Sequence, residues 1–122
     1  MSITIYGIKN CSTMKKAFAW LDERGMTYRF HDYKKSGIEA ATLQRWCLRV
    51  GRDALINTRG TTWRRLDEGR RNITSDAAAI ALMTAQPSLI RRPVLELGDG
   101  NLLLGFDPTR FEAALTPAGE ST

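Results

Sequence analysis

Apolar residues in this chain alternate at its start and then fall into helical spacing. Ile3-Thr4-Ile5-Tyr6 predicts a strand over 2–6. From Ser12 to about Arg24 the period changes. Met14, Ala17, Phe18 and Leu21 take the i, i+3, i+4, i+7 positions of one helical face, and Gly25 suits the C-terminal cap. Residues 27–33 alternate and are rich in aromatics, which predicts a second strand, and 34–37 read as a turn. Ser36 with Glu39 resembles a capping box for a helix reaching about Val50. Leu43, Trp46, Cys47 and Val50 share its apolar face, and Gly51 ends it.

The middle of the chain is less regular. Residues 51–60 read as an irregular segment and 61–67 as a short helix. Thr74 is placed to cap a helix running to about Ala85, with Asp76 in its first turn and Pro87 as its stop. Val94 to Leu97 forms a buried-type strand. The turn residues Gly98-Asp99-Gly100-Asn101 return the chain through Leu102-Leu103-Leu104. Asp107-Pro108 opens a last helix ending near Leu115, and 116–122 reads as a flexible tail.

The first βαβ unit requires a right-handed crossover and parallel strands, and the closing hairpin is antiparallel. The expectation is one α/β domain over 3–115. It has a thioredoxin-like fold with a mixed four-stranded sheet and a helical insertion at about 38–90.

Composition narrows the class. The chain has 122 residues, 43% hydrophobic and 25% charged, as in ordinary soluble proteins. No apolar run approaches the roughly 20 residues that cross a bilayer, so no membrane partner is expected. The first residues lack the charged-then-apolar pattern of a secretion signal. Two cysteines make no disulfide framework. A reducing cytoplasm is therefore the expected location.

The formal net charge is +5, with arginines at 64, 65, 70, 71, 91 and 92. This fits a small anionic substrate, a polyanion or a solvated basic face. No aromatics interleave with the basic residues and no helix-turn-helix or zinc pattern is present, which argues against nucleic acid.

Cys11 carries the candidate chemistry. It stands between a strand and a helix, where unpaired N–H groups and the helix dipole favour thiolate. The alternative is a buried structural cysteine at a strand–helix junction. Lys9, Asn10 and Lys15 argue against an apolar setting, and Lys15, four residues on, is placed to stabilise a thiolate. Met14 occupies the second position of a Cys-x-x-Cys, so no local disulfide can form. A monothiol route remains, with the second thiol supplied from outside. Cys47 lies on an apolar helical stripe and reads as core.

Pro93 enters the third strand as a turn or a cis bond, and Arg92 before it offers an anion-binding fork or is simply solvated. Arg59 lies in a loop able to present it to an anion or only to lead into a short helix. His31 reads as a partnered structural residue. No bound metal, structural zinc site, Ser-His-Asp set or phosphate-cradling glycine motif is expected.

Several segments together resemble the arsenate reductase-like (ArsC/Spx/YffB) family, nearest the YffB branch. They are Tyr6-Gly7-Ile8-Lys9-Asn10-Cys11, Phe30-His31-Asp32-Tyr33 and the stretch from Leu55 through Asn57-Thr58-Arg59-Gly60 to Arg64. Ala81-Leu82-Met83, Ile90-Arg91-Arg92-Pro93 and Leu103-Leu104-Gly105-Phe106 complete the set. The resemblance implies a nucleophilic Cys11, a cis-like Pro93 and an anion-binding Arg92. It also implies Lys9, Ser12 and Arg59 near the bound substrate, and glutathione as co-substrate with no cofactor bound. Arg59 is shifted by two residues from the family's arginine, and no arginine stands near Gly105. These departures point away from arsenate and toward a glutathione-dependent thiol reductase acting on a small anionic substrate or a protein thiol partner. The alternative is a non-catalytic Spx-like regulator docking on a protein such as RNA polymerase. In that branch a Cys-x-x-Cys is common, and Met14 removes it here.

Overall fold

The computed structural model describes residues 2–115, so the tail expected over 116–122 lies outside the described residues. The elements run β1 (Ile3–Gly7), α1 (Ser12–Glu23), β2 (Arg29–Asp32), α2 (Tyr33–Ser36), α3 (Ala40–Val50), α4 (Arg52–Leu55) and α5 (Thr61–Arg64). Then come α6 (Glu68–Arg71), α7 (Asp76–Ala85), a 3-10 turn (Pro87–Leu89), β3 (Val94–Leu97), β4 (Leu102–Leu104) and α8 (Pro108–Leu115).

The four strands form one mixed sheet in the order β2-β1-β3-β4. β1 pairs parallel with β2, with Ile5 opposite Phe30. β1 and β3 are antiparallel, with Ile5 opposite Leu95, and β3 and β4 are antiparallel, with Leu95 opposite Leu103. Side chains alternate across a strand, so this register draws two rows over the sheet. Phe30, Ile5, Leu95 and Leu103 face one way and meet Met14, Ala17, Trp20 and Leu21 of α1 with Phe111 and Leu115 of α8. Tyr6, Val94 and Leu104 face the other way and meet Leu43, Trp46 and Cys47 of α3 with Ala79, Ile80 and Met83 of α7. The helical insertion thus covers one face, while α1 and α8 cover the other. Among the described residues, no helix is long and apolar enough to cross a membrane.

Local chemistry moved several expected boundaries. Ser36 is the last residue of α2 and caps nothing. Glu39 holds the N-cap position of α3 without a side-chain cap bond. The second strand stops at Asp32, whose side chain accepts from the Lys34 N–H and opens α2 where a turn was expected. The cap of α7 is Ser75 in place of Thr74, because the Ser75 hydroxyl accepts from the Ala78 N–H. The segment 51–60 contains α4. Residues 61–67 are helical only to Arg64, and Asp67 starts the unexpected α6 by accepting from the Arg70 N–H. Gly25 and Gly51 end α1 and α3 with φ of 66° and 87°, a region that L side chains rarely adopt.

Glu96 breaks the apolar run of β3 and is only 16% exposed at its side chain. It accepts from Arg45 Nε at 2.8 Å and Nη2 at 2.9 Å, Trp46 Nε1 at 3.2 Å and the Tyr6 hydroxyl at 3.1 Å. Burial pushes the Glu96 carboxyl up, but Arg45, Trp46 and Tyr6 outweigh it and hold it below its ordinary value. Burial and Glu96 together push Tyr6 up to about 12. A carboxyl with a depressed folded value stabilises above its unfolded value, near 4.3, and loses that as pH falls through the folded one. Glu96→Gln is therefore expected to cost about 1–2 kcal/mol at pH 7. Urea titrations should show the two proteins converging as pH falls below about 4.3 and through the lower folded value of Glu96.

Candidate functional site

β1 ends at Gly7, and three loop residues bring the chain to Cys11 at the N-cap of α1, with extended φ and ψ of −120° and 132°. The loop starts at a position with no room for a side chain. A Cβ on Gly7 would lie 2.3 Å from Met14 Sδ, and Met14 is fully buried. The thioether in the second-cysteine position thus packs over Gly7 as core. The Lys15 N–H donates to the Cys11 carbonyl at 3.0 Å and closes the first turn.

Cys11 itself is half-buried at the margin of the α1–α8 cluster. Burial is the largest single influence on the thiol and pushes it up. The N–H groups of Met14 and Thr13 and the guanidinium of Arg92 together outweigh burial and hold the thiol below its ordinary value. The sulfur closes no formal cap hydrogen bond. It sits in the field of those amides, where negative charge is favoured.

Arg92 comes from the far side of the sequence, in the segment leading into β3. It is half-buried, and Nη1 donates to the Ser88 carbonyl of the 3-10 turn at 3.3 Å. The Arg92-Pro93 peptide is cis and Pro93 is buried. Backbone bonds stitch this segment to the loop holding Arg59. The Asn57 N–H donates to the Leu89 carbonyl at 2.8 Å, the Arg91 N–H donates to the Leu55 carbonyl at 2.7 Å, and Ile56 bridges Ile90.

The structure therefore brings Cys11 and Arg92 together, with Pro93 in the adjoining peptide. Lys9, Asn10, Ser12 and Lys15 are exposed around the helix start. Arg59 is exposed, its backbone N–H held by Asn57 Oδ1 at 3.1 Å, and among the described residues its side chain makes no hydrogen bond or ion pair to the thiol or to Arg92. Cys47 is buried on the opposite face of the sheet, and burial pushes its thiol up. His31 Nε2 lies 2.7 Å from the Gly37 carbonyl, a structural partnership. Among the described residues, no cluster of three or more His, Cys, Asp or Glu could hold a metal.

Two residues escaped the sequence reading. Ser88 fixes Arg92 through its carbonyl, which no side-chain pattern announces. Tyr33 places a buried hydroxyl without a partner beside the site. Burial pushes it far up, Tyr6 adds to this, and Arg92 acts in the opposite sense. Its aromatic character was visible, but its nearness to Arg92 was not.

Removing the guanidinium should weaken the hold on the thiolate. Arg92→Gln is expected to raise the Cys11 thiol and to slow iodoacetamide alkylation at pH 7 several-fold. Alkylation rates across pH 5–10 check this.

A family model described as the ArsC family matches residues 6–114. Among solved structures, the YFFB protein is 52% identical with a TM-score of 0.90, covering 94% of this chain and 100% of that one. An arsenate reductase (ArsC) related protein from Brucella melitensis is also 52% identical, with a TM-score of 0.74 and coverage of 96% and 97%. A Haemophilus influenzae protein described as uncharacterized is 41% identical over 112 residues, 92% of this chain and 97% of its own. The global transcriptional regulator Spx of Streptococcus mutans is 25% identical over 115 residues, 93% of this chain and 82% of its own.

Proposed function

The chain belongs to the ArsC family of arsenate reductase-like proteins, with their thioredoxin-like fold, and on that premise we propose that it is a glutathione-dependent monothiol oxidoreductase with Cys11 as nucleophile. The observation that carries this reading is the thiol at the start of α1, facing the Thr13 and Met14 amides and the Arg92 guanidinium.

The chemistry follows from one thiolate. Cys11 attacks the glutathione sulfur of a mixed disulfide. The S–S bond breaks, the other sulfur leaves as thiolate and takes a proton from water, and a Cys11–glutathione disulfide forms. A second glutathione thiolate attacks the glutathione sulfur of that disulfide, releasing oxidised glutathione and the Cys11 thiolate. The net exchange consumes one free glutathione thiol and releases one substrate thiol, the disulfide leaves as oxidised glutathione, and the protein returns unchanged. Arg92 offers its donors to an anionic group beside the sulfur, Lys9, Asn10, Ser12 and Lys15 stand exposed around the helix start, and Arg59 is assigned to the same anion from its exposed loop. Such a cycle requires a reducing compartment such as the cytoplasm.

The test is incubation with oxidised glutathione followed by mass spectrometry of peptides. One glutathione on Cys11, removed by added glutathione, is the expected result. Modification of Cys47 alone, or of neither cysteine, overturns the reading. A docking role draws on the Spx regulators among the relatives. Capture of RNA polymerase subunits, unchanged by Cys11→Ser, would favour it.

A further inference from the structure

We infer that a polar cavity lined by Arg65, Arg70 and Ser88, the residue whose carbonyl holds Arg92, binds a carboxylate of the thiol co-substrate, so that the site takes an elongated thiol peptide. This rests on the glutathione-dependent reading above. The cavity measures about 280 Å³ and lies between the segment 62–70 and residues Gln86 and Ser88. Thr62 and Ser88 line it, their hydroxyls hydrogen-bonded to each other at 3.0 Å. Arg65 and Arg70 stand at its rim, both exposed.

Charge at the cavity favours an anion. Asp67 also lines it, but its Oδ1 accepts from the Arg70 N–H at 2.8 Å and so serves as a helix cap. The run from Arg64 to Arg71 holds four arginines against Asp67 and Glu68. Arg24, Arg45 and Arg52 form ion pairs with carboxylates, whereas none of these four does among the described residues. Unpaired guanidinium forks beside hydroxyl donors suit a carboxylate, which accepts two parallel bonds.

Ser88 joins this cavity to the thiol. Its side chain is in the cavity wall, and its carbonyl holds the guanidinium that faces Cys11. A thiol on the middle residue of an extended tripeptide leaves a terminal carboxylate about two residues' length away, roughly 7 Å, to extend past Ser88. A compact tetrahedral oxyanion has no second end to reach the cavity.

The experiment measures binding of S-methylglutathione to Cys11→Ser by calorimetry, a ligand and protein unable to exchange disulfides. Saturable binding is expected, weakened about tenfold or more in Arg65→Gln/Arg70→Gln. Methyl esterification of the ligand's carboxylates should weaken it similarly, and Arg64→Gln/Arg71→Gln should bind like the parent. All four side chains are exposed, so the variants are expected to fold, which circular dichroism checks. Absent binding, equal affinity in Arg65→Gln/Arg70→Gln, or equal losses in both double variants overturns the cavity assignment. If the assignment fails while oxidised glutathione still labels Cys11, the thiol reading stands without it. If binding behaves as expected while Cys11 stays unlabelled, the thiol reading fails and the carboxylate site remains.

Discussion

Replacing Cys11 by serine is expected to reduce the proposed glutathione-dependent disulfide reduction at least about a thousandfold. A serine hydroxyl in the same place stays protonated at neutral pH, and the amides of Thr13 and Met14 then face no anion. No second thiol can stand in. Cys47 is 7% exposed and packs with Leu43 and Trp46 across the sheet from Cys11. Burial disfavours its thiolate, so Cys47→Ser should keep activity within a few-fold of the parent. The pH dependence separates activation from mere exposure. With the thiol held below its ordinary value, alkylation of Cys11 should reach half its maximal rate below about pH 8.5. A midpoint at or above that value would show an ordinary thiol and remove the basis of the mechanism.

The largest loss of stability is expected from Trp46→Ala, about 4 kcal/mol. Trp46 is fully buried, its ring meets Tyr6 edge-on at 4.7 Å, and its Nε1 donates to Glu96 at 3.2 Å. Truncation opens a cavity between α3 and the sheet and removes one donor from a carboxylate held among few others. A domain of this size has about 5–15 kcal/mol in total, so the urea midpoint should drop steeply. Trp46→Phe should fall between, since it keeps ring contact and loses the donor. Cys11 lies at the other face of the sheet, so the folded variant should alkylate with the parent's pH profile. A Trp46→Ala protein as stable as the parent would mean that α3 contributes little to the core.

Local pattern carried far along this chain because strands and helices announce themselves at short range. Met14, Ala17 and Leu21 had to share a helical face, and Gly25 and Gly51 had to end helices. Cap identities slipped by one residue at Ser75, where two neighbouring hydroxyls compete and only backbone geometry decides which accepts. Glu96 was absorbed into an apolar strand. Its partners Arg45, Trp46 and Tyr6 sit about 50 to 90 residues away, beyond any window of periodicity.

The sequence alone determined the order of the four strands and the longer helices, the mixed sheet that this order requires, and the thiol at the start of a helix without a neighbouring cysteine. Each depends on spacing between near neighbours. Only the tertiary structure decided that Arg92 faces Cys11, that Ser88 anchors it, that Cys47 lies across the sheet, and that Arg65 and Arg70 line a cavity together with Ser88. Those are contacts between distant segments, set by strand register and by which face each helix covers.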